Sequence, residues 1–216
     1  MAHFVFLEFL DPRVDETLRE LRQALQPWKQ SLSPIHVTVR GPYRSEPDVE
    51  KLRELAQGIR GHGVRIIGAG YFSHGSRSSV FLRAESAVFR DLWWKPDFPS
   101  RLTEIQPHLT MFESADRTSA LMAFNFLKAS RVSILTHSVQ LSIYSSGQPD
   151  LFGTRPVEQV LPNASSHRDI VAIDPEVLPA ARELGQRLAI LRKELSDVRQ
   201  QPVTKTPSGR SPTPSG

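Results

Sequence analysis

The alternation of apolar and polar residues predicts short strands separated by amphipathic helices along most of the chain. Apolar residues spaced three and four apart predict helices at 11–26, 48–59, 85–94 and 116–129. Short apolar runs bounded by Gly, Pro or polar residues predict strands at 4–10, 34–40, 64–72, 79–84, 108–112 and 132–144, the last with a kink near His137. A proline-interrupted link at 96–106 leads into the strand at 108–112.

Two of these strands carry the same motif. Histidine and threonine stand two positions apart in His36-Val37-Thr38-Val39 and again in His108-Leu109-Thr110-Met111, and a proline precedes each motif closely. Because side chains alternate between the faces of a strand, each histidine shares a face with its threonine, while the residues between them face the core. The same alternation predicts that Arg40 follows Thr38 on its face and that Phe112 follows Thr110.

The predicted elements repeat in the same order around the two motifs. Strand, helix, motif strand, helix and strand follow one another in residues 1–73 and again in residues 79–146. Such a repeat predicts a duplicated α+β module over residues 1–146, with one lobe from each copy. Two-fold packing of the copies would bring the motif strands together at a central groove.

The remainder of the chain has a different character. Residues 147–173 are rich in Pro, Gly, Asn and Ser and predict a loose connection, and Asp174-Pro175-Glu176 then begins a helix over residues 174–200. Apolar residues at alternating spacings of four and three form a narrow heptad seam along residues 177–198. The seam either docks on its own domain or pairs with a second copy or a partner helix. The tail, residues 201–216, has the composition of a disordered segment.

Composition excludes several classes of protein. The chain has no cysteine, so disulfides, thiolate catalysis and cysteine-ligated zinc are excluded, and a reducing, cytoplasmic location is expected. Glu8 interrupts the first apolar run, which lacks the features of a signal peptide, and no apolar run reaches the length of a membrane span. We therefore expect a soluble protein. The net charge of +4 is modest and does not by itself identify a partner.

Two imidazoles, each with a hydroxyl beside it, predict acid-base chemistry on a phosphate. One neutral imidazole takes a proton from water while the other, protonated, delivers one to a leaving oxygen. The hydroxyls of Thr38 and Thr110 are expected to bind phosphate oxygens, and Arg40 to balance the charge that develops on them. Tyr43 and Phe112 are candidate platforms on which a base could stack.

No metal or cofactor is predicted. Glu113 has the wrong strand parity to stand beside His108, and no acidic residue flanks His36, so the carboxylates that a metal phosphoesterase needs are missing. The sequence also lacks the glycine-rich loop that binds nucleoside triphosphates and the Gly-x-Ser-x-Gly nucleophile elbow.

The paired motifs in a duplicated α+β chain resemble the two-histidine (2H) phosphoesterase superfamily, which includes bacterial proteins called 2′-5′ RNA ligases, RNA cyclic phosphodiesterases and cyclic nucleotide phosphodiesterases. The resemblance covers about residues 1–146. It implies a bilobal fold with the motifs facing each other across a cleft, and metal-independent cleavage of 2′,3′-cyclic phosphates or 2′-5′ linkages. By position, it implies that His36 and His108 are catalytic and that Thr38 and Thr110 hold the phosphate.

The resulting expectation is an α+β protein with two antiparallel-rich sheets flanking a central cleft and an added C-terminal helix. Its expected activity is metal-independent hydrolysis of a 2′,3′-cyclic phosphate at an RNA end, or of a small cyclic or 2′-5′-linked nucleotide. The sequence does not assign the acid and base roles to particular histidines. The alternative is a non-catalytic nucleotide- or RNA-binding module, coupled to a partner through the C-terminal helix. RNA ligation, the same chemistry in reverse, is a third possibility.

Overall fold

The computed structural model describes residues 1–29, 34–93, 95–99, 105–146, 154–160 and 169–200. These residues form nine strands: β1 His3–Phe9, β2 His36–Tyr43, β3 Val64–His74, β4 Arg77–Glu85, β5 His108–Ser114, β6 Ser133–Thr136, β7 Val139–Ser145, β8 Thr154–Val160 and β9 Ile170–Ala172. They also form five helices: α1 Pro12–Leu25, α2 Val49–Gly58, α3 Phe89–Trp93, α4 Arg117–Ala129 and α5 Val177–Gln200. The predicted tail at 201–216 lies outside the described residues.

The strands form two antiparallel sheets, which confirms the predicted α+β class with its C-terminal helix. Sheet 1 has the strand order β2-β1-β7-β8, and sheet 2 has the order β5-β4-β3-β6-β9. The two motif strands, β2 and β5, are therefore each the outermost strand of a sheet. Helices α1 and α4 pack on these sheets through apolar faces, and the buried side chains of both sheets belong to one core cluster.

Each sheet combines strands from both copies of the sequence repeat. In sheet 1, β1 and β2 are completed by β7 from the second copy, and in sheet 2, β4 and β5 are completed by β3 from the first copy. The β3–β4 hairpin crosses the expected boundary between residues 73 and 79, so the sheets do not follow the lobes predicted from the repeat. Two paired strands alone are marginally stable in water, and three or more are needed for a stable sheet. The exchanged strand provides the third strand for each pair.

Several elements differ from their predicted bounds. The predicted helix at 85–94 shrinks to α3, because β4 continues to Glu85, whose partner in β3 is Arg65. The predicted strand at 132–144 is two strands, β6 and β7, which lie in different sheets, and His137 lies between them. Residues 147–173 are more than a connection, since β8 pairs with β7 and β9 pairs with β6.

Helix α5 docks on its own domain, where it packs against α1. Val177, Ala181 and Leu188 of the heptad seam are buried, so this part of the seam is occupied within the chain. Gly185 permits the close approach of the two helices, because a Cβ added there would lie 1.9 Å from the carbonyl oxygen of Ala24. Neither α5 nor another helix of the described residues is long and apolar enough to cross a membrane.

The contact between Gly185 and α1 predicts a measurable cost for a single methyl group. Gly185→Ala should lower the free energy of unfolding in urea by roughly 1–3 kcal/mol, the usual cost of overpacking, because α5 must move away from α1. Gly58→Ala is the matched control, since a Cβ at the end of α2 meets nothing within 4 Å. Equal stability of the two variants would contradict the close packing of α5 on α1.

Candidate active site

His36 and His108 occupy equivalent positions in the two sheets and are anchored in the same way. Each is the first residue of its strand. The Nδ1 atom of His36 lies 2.8 Å from the carbonyl oxygen of Pro34, and that of His108 lies 2.6 Å from the carbonyl oxygen of Gln106. A carbonyl oxygen only accepts hydrogen bonds, so Nδ1 donates in both rings. Nε2 is then the nitrogen of each ring that is left to exchange a proton.

The two anchored histidines lie close enough to interact. Strands β2 and β5 approach each other with Cα atoms within 8 Å. Burial lowers the pKa of His36 to about 4; the hydrogen bond to the Pro34 carbonyl opposes this shift, and charge interactions with Arg22 and His108 add to it. The His36 imidazole is therefore neutral at pH 7. Arg22, a half-buried residue of α1, is a neighbour of the site that the sequence analysis did not identify.

A β-bulge follows each histidine-threonine pair. The pairing of β1 with β2 shifts between Phe6↔Thr38 and Val5↔Arg40, so that β2 contains one extra residue. The pairing of β4 with β5 shifts in the same way after Thr110, between the partners of Thr110 and Phe112. A bulge breaks the strict alternation of side chains. The residue after it turns inward, and both Arg40 and Phe112 are only 1% exposed.

The expectation that Arg40 and Phe112 continue the faces of Thr38 and Thr110 is therefore wrong. Phe112 lies in the core, where Trp28 meets it edge-on at 6.1 Å between ring centroids. It does not offer a face to a nucleobase. The physical reason is the bulge, which a rule based on alternation alone does not foresee.

Arg40 lies in a buried network away from the face of Thr38. Its guanidinium donates to the hydroxyl of Tyr43 at 2.7 Å, to the carbonyl oxygen of Leu92 and to Oδ1 of Asp97 at 2.6 Å. The Tyr43 hydroxyl donates to the same carboxylate oxygen at 2.8 Å, and Lys51 donates to Oδ2 at 2.7 Å. Arg40 thus joins β2 to the segment after α3. The predicted phosphate role of Arg40 and stacking role of Tyr43, which is 5% exposed, have no support in this arrangement.

The network shifts the pKa values of its members. Partial burial raises the pKa of Asp97, but hydrogen bonds from Lys51, Arg40 and Tyr43 outweigh it and hold that pKa well below its usual range. Burial raises the pKa of Tyr43 to about 12, against the influence of Arg40. The carboxylate and the phenol therefore keep their ordinary charge states over a wide pH range.

Gln26 supports the bulge in β5. Its side-chain amide donates to the carbonyl oxygen of Met111 at 3.1 Å and accepts from the backbone N–H of Glu113 at 3.3 Å. The side chain is buried, at the end of α1, and bonds to backbone groups on the outer edge of the strand. Buried backbone groups left unpaired are costly, so Gln26 stabilises the local shape that follows Thr110.

An aromatic ring lies beside each histidine at an equivalent position that the sequence analysis missed. Phe6, the partner of Thr38, stacks on His36 with 3.6 Å between centroids and 14° between planes. Phe81, the partner of Thr110, lies 4.7 Å from His108 at 49°. The signal was present in the sequence, since each of the strands that pair with β2 and β5 carries a phenylalanine. Which phenylalanine lies beside a histidine depends on the register in which the strands pair.

The third strand of each sheet adds a further ring. Tyr144 of β7 stacks on Phe6 with 5.1 Å between centroids, and Phe72 of β3 lies 5.3 Å from Phe81. Gly70 makes room for the second cluster, because a Cβ added there would lie 2.1 Å from the Phe81 ring. The two halves of the site are thus built alike in their aromatic parts.

The two halves differ in charge. Glu8 is paired with His36 across β1 and β2, whereas Arg83 is paired with His108 across β4 and β5. The Glu8 carboxylate accepts a hydrogen bond from the hydroxyl of Ser142 at 2.5 Å and from the amide of Gln140 at 3.3 Å. The Arg83 side chain is exposed. The position of these charges beside the histidines depends on the strand register, which the local sequence pattern does not contain.

A separate groove of about 480 Å³ lies near the far end of β5. Its described lining includes Trp28, Lys29, Glu113, Asp116 and Arg192, and neither motif histidine nor motif threonine is part of that lining. Within the described ranges, no three His, Asp or Glu side chains come together as a metal-binding group.

Comparisons with known proteins do not assign the chain to a family. No protein-family model and no curated protein sequence matches it.

The Arg40 network predicts a pH-dependent loss of stability when its carboxylate is removed. Breaking a buried ion pair costs about 3–5 kcal/mol, and because Asp97 is partly exposed we expect about 2 kcal/mol for Asp97→Asn at pH 7. The lowered pKa of Asp97 stabilises the fold above the ordinary pKa of a carboxyl group, and that contribution decreases progressively as the pH falls from about 4 towards the lowered pKa. Urea unfolding of both proteins at several pH values measures this difference.

The difference in stability should be largest near neutral pH and should shrink under acid conditions. Asp91→Asn is a matched control on the neighbouring helix, because Asp91 is exposed and its ion pair with Arg90 is loose, at 3.8 Å. A difference between wild type and Asp97→Asn that does not change with pH would contradict the charged network.

Proposed function

We propose that the protein is a metal-independent phosphodiesterase that hydrolyses a 2′,3′-cyclic phosphate at an RNA end, or a small cyclic or 2′-5′-linked nucleotide. The observation that carries the proposal is the matched anchoring of His36 and His108 through Nδ1 on two neighbouring edge strands. Both rings thereby offer the same nitrogen to a reacting group, as a general base and a general acid require.

The environment of the histidines supports an assignment of their roles. Because its pKa is lowered to about 4, His36 is neutral at pH 7 and suits the general base. Its Nε2 would take a proton from water as the water oxygen attacks phosphorus. His108, in its protonated form, would then give a proton to the ribose oxygen as the bond between that oxygen and phosphorus breaks. The result is an open phosphate monoester and a free hydroxyl.

The threonines complete the proposed site. Thr38 and Thr110 precede the bulges and stay half-buried on the same side of the strand as their histidines. Their hydroxyl groups would donate to the non-bridging oxygens of the phosphate, where negative charge develops in the transition state. Half-buried Arg22, whose charge acts on His36, is placed to attract the anionic substrate.

The same features support membership of the two-histidine phosphoesterase superfamily as part of this proposal. Both motifs are intact, and the strands that carry them are related by an internal repeat with equivalent bulges and aromatic neighbours. The absence of cysteine from the sequence supports a cytoplasmic location.

A nucleotide- or RNA-binding module without turnover is the second candidate. It is favoured by the packing of α5 on α1, since α1 also carries Arg22, whose charge acts on His36. Occupancy of the site could thereby affect the exposed side of α5, where Ile190 is 59% exposed. Tight binding of a cyclic nucleotide without any product would support this candidate.

Turnover by histidine variants tests the proposal directly. Wild-type protein in EDTA should open the ring of a short RNA ending in a 2′,3′-cyclic phosphate, or cleave a cyclic or 2′-5′-linked nucleotide offered in parallel. His36→Ala and His108→Ala should each reduce kcat/KM by roughly 10²–10⁴-fold, because each removes a general acid or base. Thr38→Ala and Thr110→Ala should have smaller effects.

His62→Ala, at an exposed turn after α2, is the matched control and should keep wild-type activity. Near-normal turnover by both motif variants, or no turnover of any of these substrates by the wild type, would contradict the proposed enzyme.

A further inference from the structure

The half of the site on sheet 2 has an exposed aromatic face beside its histidine. Phe72 is 42% exposed, and its ring meets His108 edge-on with 5.6 Å between centroids. Phe81 lies beneath this contact and is 7% exposed, so Phe72 is the accessible ring of the cluster. A flat group that stacked on Phe72 would remove the exposed apolar surface of this ring from water. Nucleobases present such a group, and every base has a face that can stack.

The same half of the site carries an exposed cation. Arg83 is directly opposite His108 in the β4–β5 ladder, and residues paired in this way place their Cβ atoms about 5 Å apart on one face. Among the residues that the structure describes, no carboxylate forms an ion pair with Arg83. A guanidinium in this position matches a phosphate group close to the one that reacts.

The equivalent position on sheet 1 has the opposite charge. Glu8 is paired with His36, and its carboxylate is held by Ser142 and Gln140. A second phosphate on that side would be repelled by Glu8, whereas on the other side it would be attracted by Arg83. The two charges therefore favour one orientation for a substrate that carries more than one phosphate.

We propose that the surface formed by Phe72 and Arg83 beside His108 binds the nucleotide chain of an RNA end. Phe72 stacks on the base next to the reacting phosphate, and Arg83 binds the adjacent phosphate, which does not react. This inference rests on the proposed function and specifies its substrate: an oligonucleotide end is preferred over a free cyclic mononucleotide, because only the oligonucleotide carries the second phosphate.

Binding of product ligands tests the proposal without requiring turnover. Calorimetry would compare adenosine 2′-phosphate with the dinucleotide ApA that carries the same terminal phosphate. Wild-type protein should bind the dinucleotide about tenfold more tightly, which corresponds to roughly 1.4 kcal/mol for one added phosphate contact. Arg83→Gln should lose this advantage and keep the affinity for the mononucleotide. Phe72→Leu should weaken both ligands about tenfold through the loss of stacking.

The salt dependence gives a second readout. The affinity for the dinucleotide should fall less steeply with salt in Arg83→Gln than in the wild type, because salt screens the attraction between an exposed guanidinium and a phosphate. Arg60→Gln, an exposed arginine after α2, is the matched control and should change neither ligand.

Three results would overturn the inference: equal binding of the two ligands by the wild type, no binding of either, or equal weakening of both by Arg83→Gln. Turnover of the cyclic phosphates, measured separately, distinguishes this failure from that of the proposed function. A protein that cleaves both substrate lengths equally well is still a phosphodiesterase without this chain-binding surface.

Discussion

The exchange of β3 and β7 between the two repeat copies is the constraint on which the rest of the structure depends. In each sheet, two strands of one copy pair with a strand of the other, so neither sheet is built from one half of the chain alone. This arrangement leaves β2 and β5 as outer strands and brings them close together. The position of the histidines therefore follows from long-range pairing, and both halves of the chain must fold together to create it.

Within this frame, two local features give the candidate site its shape. A backbone carbonyl two residues earlier fixes the Nδ1 of His36 and of His108, and a bulge after each threonine turns the next side chain inward. The polar face of each motif strand is thereby limited to one histidine and one threonine. Arg40 and Phe112 are buried in the core instead, where Arg40 donates hydrogen bonds to Tyr43 and Asp97.

The spacing of apolar and polar residues predicted those features of the fold that depend on neighbouring residues. Residues close together in the sequence were enough to predict helices α1, α2 and α4, the motif strands and the α+β class. The bulges could not be predicted in this way, because two-residue alternation contains no signal for an extra residue at Val39 or Met111. The neighbours of the histidines, such as Phe6 and Arg83, depend on register between distant strands. The close contact at Gly185 also depends on a distant segment, since its missing side chain is what lets α5 approach α1.

The protonation of the two histidine rings tests the central claim most directly. Nitrogen-15 NMR of labelled histidine, assigned with His36→Gln and His108→Gln, reports which ring nitrogen carries the proton. We expect the neutral form of each ring to carry its proton on Nδ1, and His36 to be neutral at pH 7 and to titrate near pH 4. Protonation at Nε2 in the neutral form of either ring would contradict the paired acid-base arrangement, and titration of His36 near the usual histidine value of about 6.5 would contradict its burial in the site.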